Sequence, residues 1–254
     1  PGARPGFHTV TPYLQVQRAE ALLEFVKEAF GATETLRATA PAGGMHAEAR
    51  LGDSMLMIGG AEGMEFPEHP TALHLYVPDA DAAYARALTA GAVSIQAPTD
   101  QPYGDREAGV RDVAGNHWYV ATHLGSPGQY RPEGLRTVTL FLHPRGARQM
   151  IDFLKDAFEA EVAAEYASPE GVIHHATVRI GDSAIEMGEA HGIAQPMPAA
   201  VYLYVEDVDD VYERAVRAGG SSHLPPTDQP YGDRNAYVQD PFGNMWYIAT
   251  HKGS

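Results

Sequence analysis

TDQPYGDR, residues 99–106, occurs again letter for letter as residues 227–234. Each copy is followed by a related tail, RDVAGNHWYVATH at 111–123 and QDPFGNMWYIATH at 239–251. The spacing between octapeptide and tail is the same in both places, so the chain is a tandem duplication. We predict a first half at residues 1–123, a linker rich in Gly, Ser and Pro at 124–136, and a second half at 137–254.

Composition limits the classes of function. The chain has 254 residues, which is enough for two ordinary domains. Its formal net charge is −15, so we expect neither nucleic acid nor a membrane surface as a partner. The sequence has no cysteine and no apolar run of membrane-spanning length, and we expect that its start is not a signal peptide. We therefore expect a cytoplasmic monomer or homodimer that binds a small molecule.

Hydrophobic periodicity predicts one element order twice within the first half. Residues 9–16 alternate like a strand, residues 18–30 form an amphipathic helix that ends at Gly31, and strands follow at 33–39, 44–51 and 54–58. After a Pro-rich link at 65–70 come a strand at 72–77, a helix capped by Asp79 or Asp81 that stops at Gly91, and a short strand at 93–97. The octapeptide is then predicted to be a loop, and residues 107–112 and 118–122 a closing hairpin.

The second half repeats this order, with one difference at the end of its first helix. Glu159 stands where Gly31 stands in the first half, so we expect the helix at 147–158 to end less sharply. Four β-α-β-β-β units in two similar halves follow from the pattern.

Several short motifs carry a resemblance to a known family. They are Thr11-Pro12-Tyr13-Leu14, Ala29-Phe30-Gly31, Met45-His46-Ala47-Glu48, Gly52-Asp53-Ser54, Gly104-Asp105-Arg106 and Trp118 to His123. In these motifs the chain resembles the vicinal oxygen chelate superfamily of glyoxalase I, bleomycin-resistance proteins and extradiol dioxygenases, and within it the PhnB-like branch. The resemblance implies an α+β fold in which pairs of βαβββ units form curved mixed sheets that close into ligand cups, with the helices outside. Such a fold hosts many chemistries.

Alternation along each strand assigns side chains to two faces of a sheet. The apolar set should meet the helices, where Trp118 and Trp246 are predicted to be core residues. The opposite set, together with the octapeptide, is predicted to bind the ligand: Tyr13, His46, Glu48, Tyr76, Tyr103, Arg106, His117, Tyr119, His123, His175, Tyr202, Tyr231, Arg234, Tyr247 and His251. The histidines and acids of this set have a second interpretation, as hydrogen-bonded polar residues of a wet groove. His123 and His251 could each bond a backbone carbonyl.

The octapeptide has two interpretations. As a rim loop, it would present Tyr103 and Arg106, or Tyr231 and Arg234, to a bound molecule, where Arg could grip an anion and Tyr could stack. As a purely structural loop, Gly104 would allow a tight turn, Asp105 would cap the backbone, and Arg106 would pair with Asp112 or another acid. Two identical copies in halves that diverge elsewhere favour the structural interpretation.

The superfamily resemblance also bears on metal binding. Metal-dependent members place His, Gln or Glu at four strand positions. Those positions hold Thr11, Met57, Ala72 and Tyr119 in the first half, and Thr139, Glu186, Ala200 and Tyr247 in the second. Only Glu186 suits a divalent ion, whereas Zn²⁺ or Fe²⁺ requires about three N/O ligands. We therefore predict no cofactor, and keep a rearranged divalent-metal site among the 12 histidines as the alternative.

The leading hypothesis for function is metal-independent binding of a small aromatic or anionic organic molecule. The alternatives are a lyase, isomerase or dioxygenase with a non-standard metal or a His/Glu acid–base pair, and an interaction module. If the units exchange partners, unit one with four and unit three with two, Glu186 would share a cup with His74, His117 and Tyr119. Glu186 and His74 are then the predicted catalytic residues.

Overall fold

The computed structural model describes residues 2–39, 43–60, 68–125, 128–191 and 195–253. It confirms four consecutive βαβββ repeats. The first repeat comprises β1 (Val10–Gln15), α1 (Ala19–Phe30), β2 (Thr33–Thr39), β3 (Met45–Leu51) and β4 (Ser54–Gly60). The second comprises β5 (Ala72–Tyr76), α2 (Ala80–Thr89), β6 (Val93–Asp100), β7 (Asp105–Arg111) and β8 (His117–His123).

The second half contains the same elements. The third repeat comprises β9 (Val138–Leu142), α3 (Ala147–Phe158), β10 (Glu161–Ala167), β11 (Ile173–Ile180) and β12 (Ser183–Met187). The fourth comprises β13 (Ala200–Tyr204), α4 (Val208–Arg217), β14 (Ser221–Asp228), β15 (Asp233–Gln239) and β16 (Met245–His251). Residues 65–67 of the predicted Pro-rich link and 126–127 of the predicted linker lie outside the described residues.

The strands form two open, mixed sheets of eight strands each. Their orders are β14-β15-β16-β13-β1-β4-β3-β2 and β10-β11-β12-β9-β5-β8-β7-β6. β1 is antiparallel to β13 and parallel to β4, and β5 is parallel to β8. Strands of repeats four and one lie in one sheet, and strands of repeats three and two lie in the other. Which repeats share a ligand cup stays a prediction.

The chain divides into two compact units. The first-half unit is Tyr13–Leu140, and the second-half unit is Phe141–Ser254 together with Pro1–Pro12. The N-terminal segment belongs to the second-half unit because its backbone is held by a turn there. Thr9 N donates to Asp182 Oδ1 (2.9 Å) and Val10 N donates to Ser183 Oγ (3.0 Å). Asp53 and Ser54 hold the start of β9 in the same way within the first-half unit.

Each unit has an apolar core between its own helices and strands. α1 packs beside α2, and α3 beside α4. The predicted core role of the tryptophans is confirmed, since both are fully buried and each lies against a phenylalanine that ends a helix. The ring centroids are 4.9 Å apart for Phe30 and Trp118, and 4.6 Å apart for Phe158 and Trp246. No helix within the described ranges is long and apolar enough to cross a membrane.

A buried aspartate organises the turn before each tryptophan. Asp112 Oδ1 accepts the N–H groups of Ala114 (2.8 Å) and Asn116 (3.0 Å). Its Oδ2 accepts Asn116 Nδ2 (2.8 Å) and Trp118 Nε1 (2.9 Å). Burial raises the pKa of Asp112, and these donated hydrogen bonds oppose that rise. Asp240 receives the corresponding bonds in the second half, so the motif D-x-x-G-N-x-W fixes the β7–β8 and β15–β16 hairpins.

The prediction that the whole octapeptide is a loop is wrong at both ends. Thr99 and Asp100 end β6, whereas Asp105 and Arg106 begin β7. Only the middle is a turn, in which Gly104 has a φ of 94° and its N–H donates to the Gln101 carbonyl (3.0 Å). Pro102 and Gly104 therefore interrupt the pairing of β6 with β7 only at the turn itself. The polar residues on either side remain in the strands, where Thr99 is opposite Glu107 and Asp100 is opposite Arg106.

The outermost strands of both sheets are irregular. β2, β6, β10 and β14 lie at the sheet ends. Each shows at least one register shift against its inner neighbour, for example between Glu34 and Leu36 in β2 and between Val162 and Ala164 in β10. β6 and β14 each have two shifts. The inner strands of the same sheets pair without such shifts in the registers that are described.

The expected weaker end of α3 is also corrected. Glu159 adopts the left-handed conformation (φ 56°) that Gly31 adopts after α1 (φ 76°). Both residues donate their backbone N–H to the helix in the same way, and both helices have 12 residues. Among the described residues, Glu159 alone combines a side chain with a positive φ. Tertiary packing of α3 therefore overrides the preference of this position for glycine.

We expect Glu159→Gly to raise the free energy of unfolding by about 1 kcal/mol, because a Cβ in the left-handed region costs roughly 1–2 kcal/mol. Gly31→Ala should lower it by a similar amount. Urea denaturation measures both. Glu159→Ala is the control, since it removes the ion pair of Glu159 with Arg214 (2.6 Å) but keeps the Cβ. Equal stabilities of the Gly and Ala variants at position 159 would contradict the strain.

Candidate functional site

Three adjacent strands in each half turn one row of polar and aromatic side chains to the same side. In the first half, Tyr119 on β8 is opposite His74 on β5 and Gly109 on β7. Two residues further along, Ala121 is opposite Tyr76 and Glu107, and His123 is opposite Asp105. The first-half face is defined here as His74, Tyr76, Asp105, Glu107, Gly109, His117, Tyr119 and His123. The second-half face is Tyr202, Tyr204, Asp233, Asn235, Tyr237, Met245, Tyr247 and His251.

A buried carboxylate joins a tyrosine to a histidine on the first-half face. Asp105 Oδ2 accepts the hydroxyl of Tyr76 (3.0 Å), and Asp105 Oδ1 lies 2.6 Å from His123 Nδ1. Because a carboxylate accepts, Nδ1 of His123 is the protonated ring nitrogen in this contact. The expected backbone cap by Asp105 is therefore replaced by a side-chain bridge across β5, β7 and β8. His123 bonds a carboxylate instead of a backbone carbonyl.

The second-half face has the same type of bridge with a different tyrosine. Asp233 Oδ2 accepts the hydroxyl of Tyr202 (2.7 Å), and Asp233 Oδ1 lies 2.7 Å from His251 Nδ1. In the repeat alignment, Tyr202 corresponds to His74, whereas Tyr76 corresponds to Tyr204. The bridge is thus kept in both halves, but its tyrosine comes from positions two residues apart on β5 and β13.

The first-half face contains a close imidazole–carboxylate pair. His74 Nε2 lies 3.4 Å from Glu107 Oε2, and the His74 ring packs on that of Tyr76 with centroids 4.3 Å apart. Burial and the charge of Glu107 raise the pKa of Tyr119 to about 12. Burial, with a smaller contribution from Arg111, lowers the pKa of His117. Neutral forms of Tyr119 and His117 therefore lie beside one ionisable pair.

The second-half face is a cluster of tyrosines. Tyr202 and Tyr247 are parallel (4°) with centroids 6.3 Å apart, and Tyr237 meets Tyr247 edge-on at 4.6 Å. Asn235 Nδ2 donates to the hydroxyl of Tyr231 (2.7 Å). Burial raises the pKa of Tyr202, Tyr231 and Tyr237. Apart from the bridge of Asp233 and His251, neutral hydroxyls and ring faces characterise this surface.

The other predicted residues of the first repeat form a smaller group. His46 packs edge-on against Tyr13 at 5.9 Å, and its Nε2 lies 3.5 Å from Glu48 Oε1. Glu48 is buried and His46 is half-buried. This contact fits a hydrogen-bonded polar pair, and a ligand-binding role for the three residues stays a prediction.

The predicted catalytic residues have separate neighbours within their own units. Glu186, on β12, is buried, and its Oε1 lies 3.2 Å from Nε2 of His175 on β11. His74, on β5, has Glu107 beside it. β12 and β5 belong to the same sheet with β9 between them. A joint site of Glu186 and His74 stays a prediction.

Each octapeptide arginine is held by an aspartate in the first turn of the preceding helix of the same half, Asp81 in α2 and Asp209 in α4. Arg106 contacts Asp81 through Nε and through Nη2 (2.7 Å), and Asp100 through Nη1 (2.8 Å). Arg234 makes the corresponding fork with Asp209, at 2.7 Å for both bonds. These hydrogen bonds raise the pKa of both guanidinium groups. The partner of Arg106 is therefore a different acid from Asp112. Tyr103 and Tyr231 are exposed.

Metal ligands are not grouped on either face. In the part of the chain that is described, no cluster of three or more His, Cys, Asp or Glu side chains has a geometry suited to a metal ion. Zn²⁺ and Fe²⁺ sites require about three such protein ligands. The residues present on the two faces therefore do not fit a metal centre of that kind.

Sequence reasoning missed the residues that β7 and β15 contribute. Asp105 and Glu107, and likewise Asp233, Asn235 and Tyr237, were not assigned to a face. The signal was available, because the equal spacing from Asp105 to His123 and from Asp233 to His251 puts each pair across one hairpin. Because the octapeptide was predicted to be a loop, Asp105 and Asp233 were not expected on a strand, although they begin β7 and β15.

Comparison with known proteins identifies the family. The model of the Glyoxalase/Bleomycin resistance protein/Dioxygenase superfamily matches residues 6–120 and 142–248. The chain belongs to this superfamily. The PhnB-like assignment within it stays a prediction.

Relatives and solved structures agree with this membership. The uncharacterized protein Rv0887c of Mycobacterium tuberculosis is 35% identical over 129 residues, which is 46% of this chain and 74% of that protein. The uncharacterized protein Mb0911c of Mycobacterium bovis is 35% identical over 129 residues, 46% of this chain and 82% of its own length. Glyoxalase I from Zea mays has a similar fold, with a TM-score of 0.70, 14% identity, and coverage of 95% of this chain and 92% of that one. At this identity the similarity concerns the fold alone.

The raised tyrosine pKa values predict alkaline instability. Tyrosines of the unfolded chain ionise near pH 10, whereas folded Tyr119 does so at about 12. The folded state therefore holds these protons more tightly, and its stability is complete below pH 10 and falls as pH rises towards 12. Urea unfolding at pH 9 to 11.5 should show this fall, and Tyr119→Phe should reduce it. Tyr166→Phe, at a residue 68% exposed, should not, and an identical effect of the two variants would contradict this prediction.

Proposed function

We propose that this superfamily member binds a small, flat aromatic molecule on the second-half face, without a metal. The observation that carries the proposal is the packing of Tyr202, Tyr237 and Tyr247. Their rings provide a parallel pair and an edge-on neighbour within one sheet face. Aromatic side chains with buried or partnered hydroxyls are typical linings of pockets for organic ligands.

The hydrogen bonds around these rings favour a rigid surface. Asp233 holds the hydroxyl of Tyr202, and Asn235 is held in turn by Gln229 Nε2 (3.0 Å) while it donates to Tyr231. Side chains fixed in this way lose little further conformational freedom when a ligand arrives. The face is thus suited to stacking on a flat molecule and to one or two hydrogen bonds with its polar edge.

The charges support an aromatic ligand over an anionic one. Arg106 and Arg234 are the octapeptide cations that could grip an anion, and both are engaged by aspartates through forked hydrogen bonds. The net charge of −15 also repels anions at long range. The proposed ligand is accordingly neutral and aromatic.

An enzyme of the same superfamily is the alternative to a binding protein. The version that uses Glu186 and His74 requires both groups at one reacting molecule, and Glu186 already has His175 at 3.2 Å. No observation on the second-half face favours catalysis, since its acid, Asp233, is bonded to both Tyr202 and His251.

The neutral naphthalene fluorophore prodan tests ligand binding. We expect saturable binding with a blue-shifted emission, and about a tenfold weaker affinity for Tyr247→Ser, since stacking on one aromatic ring contributes roughly 0.5–1.5 kcal/mol beyond its buried area. Tyr166→Ser is the matched control and should leave the affinity unchanged. Tyr119→Ser reports on the first-half face. An affinity that drops with Tyr119→Ser and not with Tyr247→Ser would contradict the assignment to the second-half face.

Chelation tests metal independence. Because the strand positions expected for metal ligands hold Thr, Met, Ala and Tyr, EDTA should change neither the melting temperature nor the affinity for prodan. A metal that binds only the native state would stabilise it by RT ln(1 + [L]/Kd), so its removal would lower the melting temperature by several degrees. Thermal unfolding before and after dialysis against EDTA measures this. A drop of that size would refute the metal-free proposal.

A further inference from the structure

The two copies of the octapeptide have the same backbone turn but different side chains beside their tyrosines. In both copies the N–H of the glutamine donates to the carbonyl of the aspartate four residues later at 2.7 Å, and the glycine has a φ of 94°. Four residues after the tyrosine, the first half has Glu107 and the second half has Asn235. Tyr103 and Tyr231 therefore differ in their partners and not in the shape of the turn.

Asn235 anchors Tyr231. The amide of Asn235 is fully buried, its Oδ1 accepts a hydrogen bond from Gln229 Nε2 (3.0 Å), and its Nδ2 donates to the Tyr231 hydroxyl (2.7 Å). The bond to Gln229 fixes which end of the amide faces the tyrosine. A carboxylate has no N–H group, so Glu107 cannot donate the corresponding hydrogen bond to Tyr103.

Tyr231 is held at its hydroxyl and open along the rest of its side chain. The residue is 50% exposed. Burial and the neighbouring Tyr237 raise the pKa of its hydroxyl, and hydrogen bonds with Asn235 and Tyr202 oppose this rise. The hydroxyl thus lies in a dry position at the second-half face, while half of the residue stays accessible to a molecule that arrives from solvent.

The hydrogen bonds around this hydroxyl make it a donor. Tyr202 donates its own proton to Asp233 (2.7 Å), and Asn235 donates to the oxygen of Tyr231. The proton of Tyr231 rotates about the C–O bond, so it can be directed to an acceptor on the face. Because its pKa is raised, the hydroxyl keeps this proton at neutral pH. A neutral donor next to the carboxylate of Asp233 favours a neutral acceptor over an anionic one.

We propose that Tyr231 is a specificity-determining residue of the second-half face, where its hydroxyl donates a hydrogen bond to a neutral acceptor group at the edge of the flat aromatic ligand. An ether oxygen and a nitrile nitrogen are examples of such a group. This inference rests on the proposed binding function and names the substituent that the face selects. Tyr103, in the identical octapeptide, lacks this role because position 107 has no amide to orient it.

Two naphthalenes of nearly the same shape test the inference. The nitrogen of 2-naphthonitrile accepts a hydrogen bond, whereas 2-ethynylnaphthalene has a C–H group in its place. Displacement of prodan from the full-length protein gives both affinities, once the affinity for prodan is known for each variant. We expect Tyr231→Phe, which keeps the ring, to lower the preference for the nitrile about threefold, as the loss of one net hydrogen bond predicts. Tyr166→Phe, at a residue 68% exposed, is the matched control and should leave the preference unchanged.

Infrared spectroscopy of bound 2-naphthonitrile gives a second measurement, which a purely structural role of Tyr231 would not change. A hydrogen bond to the nitrogen raises the frequency of the C≡N stretch, so we expect a higher frequency in the wild-type complex than in that of Tyr231→Phe. Asn235→Asp keeps the shape of the side chain but removes the N–H that anchors Tyr231. It should therefore lower both the preference for the nitrile and the stretching frequency.

The outcomes separate this inference from the proposed function. Equal preferences of the wild type and Tyr231→Phe for the nitrile would overturn the inference, and so would an equal loss of preference in Tyr103→Phe. Both results leave prodan binding to the second-half face intact. A wild type that binds neither prodan nor the naphthalenes would overturn the proposed function together with the inference.

Discussion

One buried carboxylate in each half fixes the hairpin turn on which the arrangement of the two faces depends. Asp112 and Asp240 each accept two backbone and two side-chain hydrogen bonds, and thereby tie a Gly-Asn turn to a core tryptophan. This turn sets the register of the hairpin, and a one-residue slip would move every side chain of a strand to the opposite face. Burying a charge is expensive, and four donors offset that cost. The positions of Glu107 opposite Ala121 and of Tyr237 opposite Tyr247 follow from the register that these bonds fix.

The duplication shows which residues are common to both halves and which differ between them. The tryptophan, its aspartate and the carboxylate that joins tyrosine to histidine are present in both halves, so they belong to the framework. The residues between them differ, and they differ in chemistry, with ionisable groups on the first-half face and neutral aromatic rings on the second. A single chain that carries both faces can vary one while the other stays intact. The bridge tyrosine illustrates this, because its move from the position of Tyr202 to that of Tyr76 changes the site and preserves the bond to Asp.

Most of the fold could be predicted from the sequence, because it rests on local patterns that occur twice. Apolar periodicity and turn residues gave all four βαβββ repeats, and Asp79 was one of the two residues expected to cap α2. The end of α3 was mispredicted because packing holds Glu159 in a conformation that its own preferences oppose. The site was predicted less completely. Strand alternation correctly assigned Tyr119 and Tyr247 to the two faces. It could not show that Tyr76 bonds Asp105 whereas Tyr202 bonds Asp233, because these contacts depend on how far a side chain reaches across neighbouring strands.

The register shifts in the outermost strands have a consequence for behaviour in concentrated solution. Two open sheets give the molecule four strands with unpaired backbone groups, β2, β6, β10 and β14, and a regular exposed strand is a template for pairing with another molecule. Each of these strands is interrupted by a bulge, and β6 and β14 also contain Pro98 and the pair Pro225-Pro226, which cannot donate to a neighbouring strand. Charged side chains line the other two, among them Arg37 and Glu165. These irregularities interrupt the regular row of backbone groups that a strand of another molecule would need for continuous pairing.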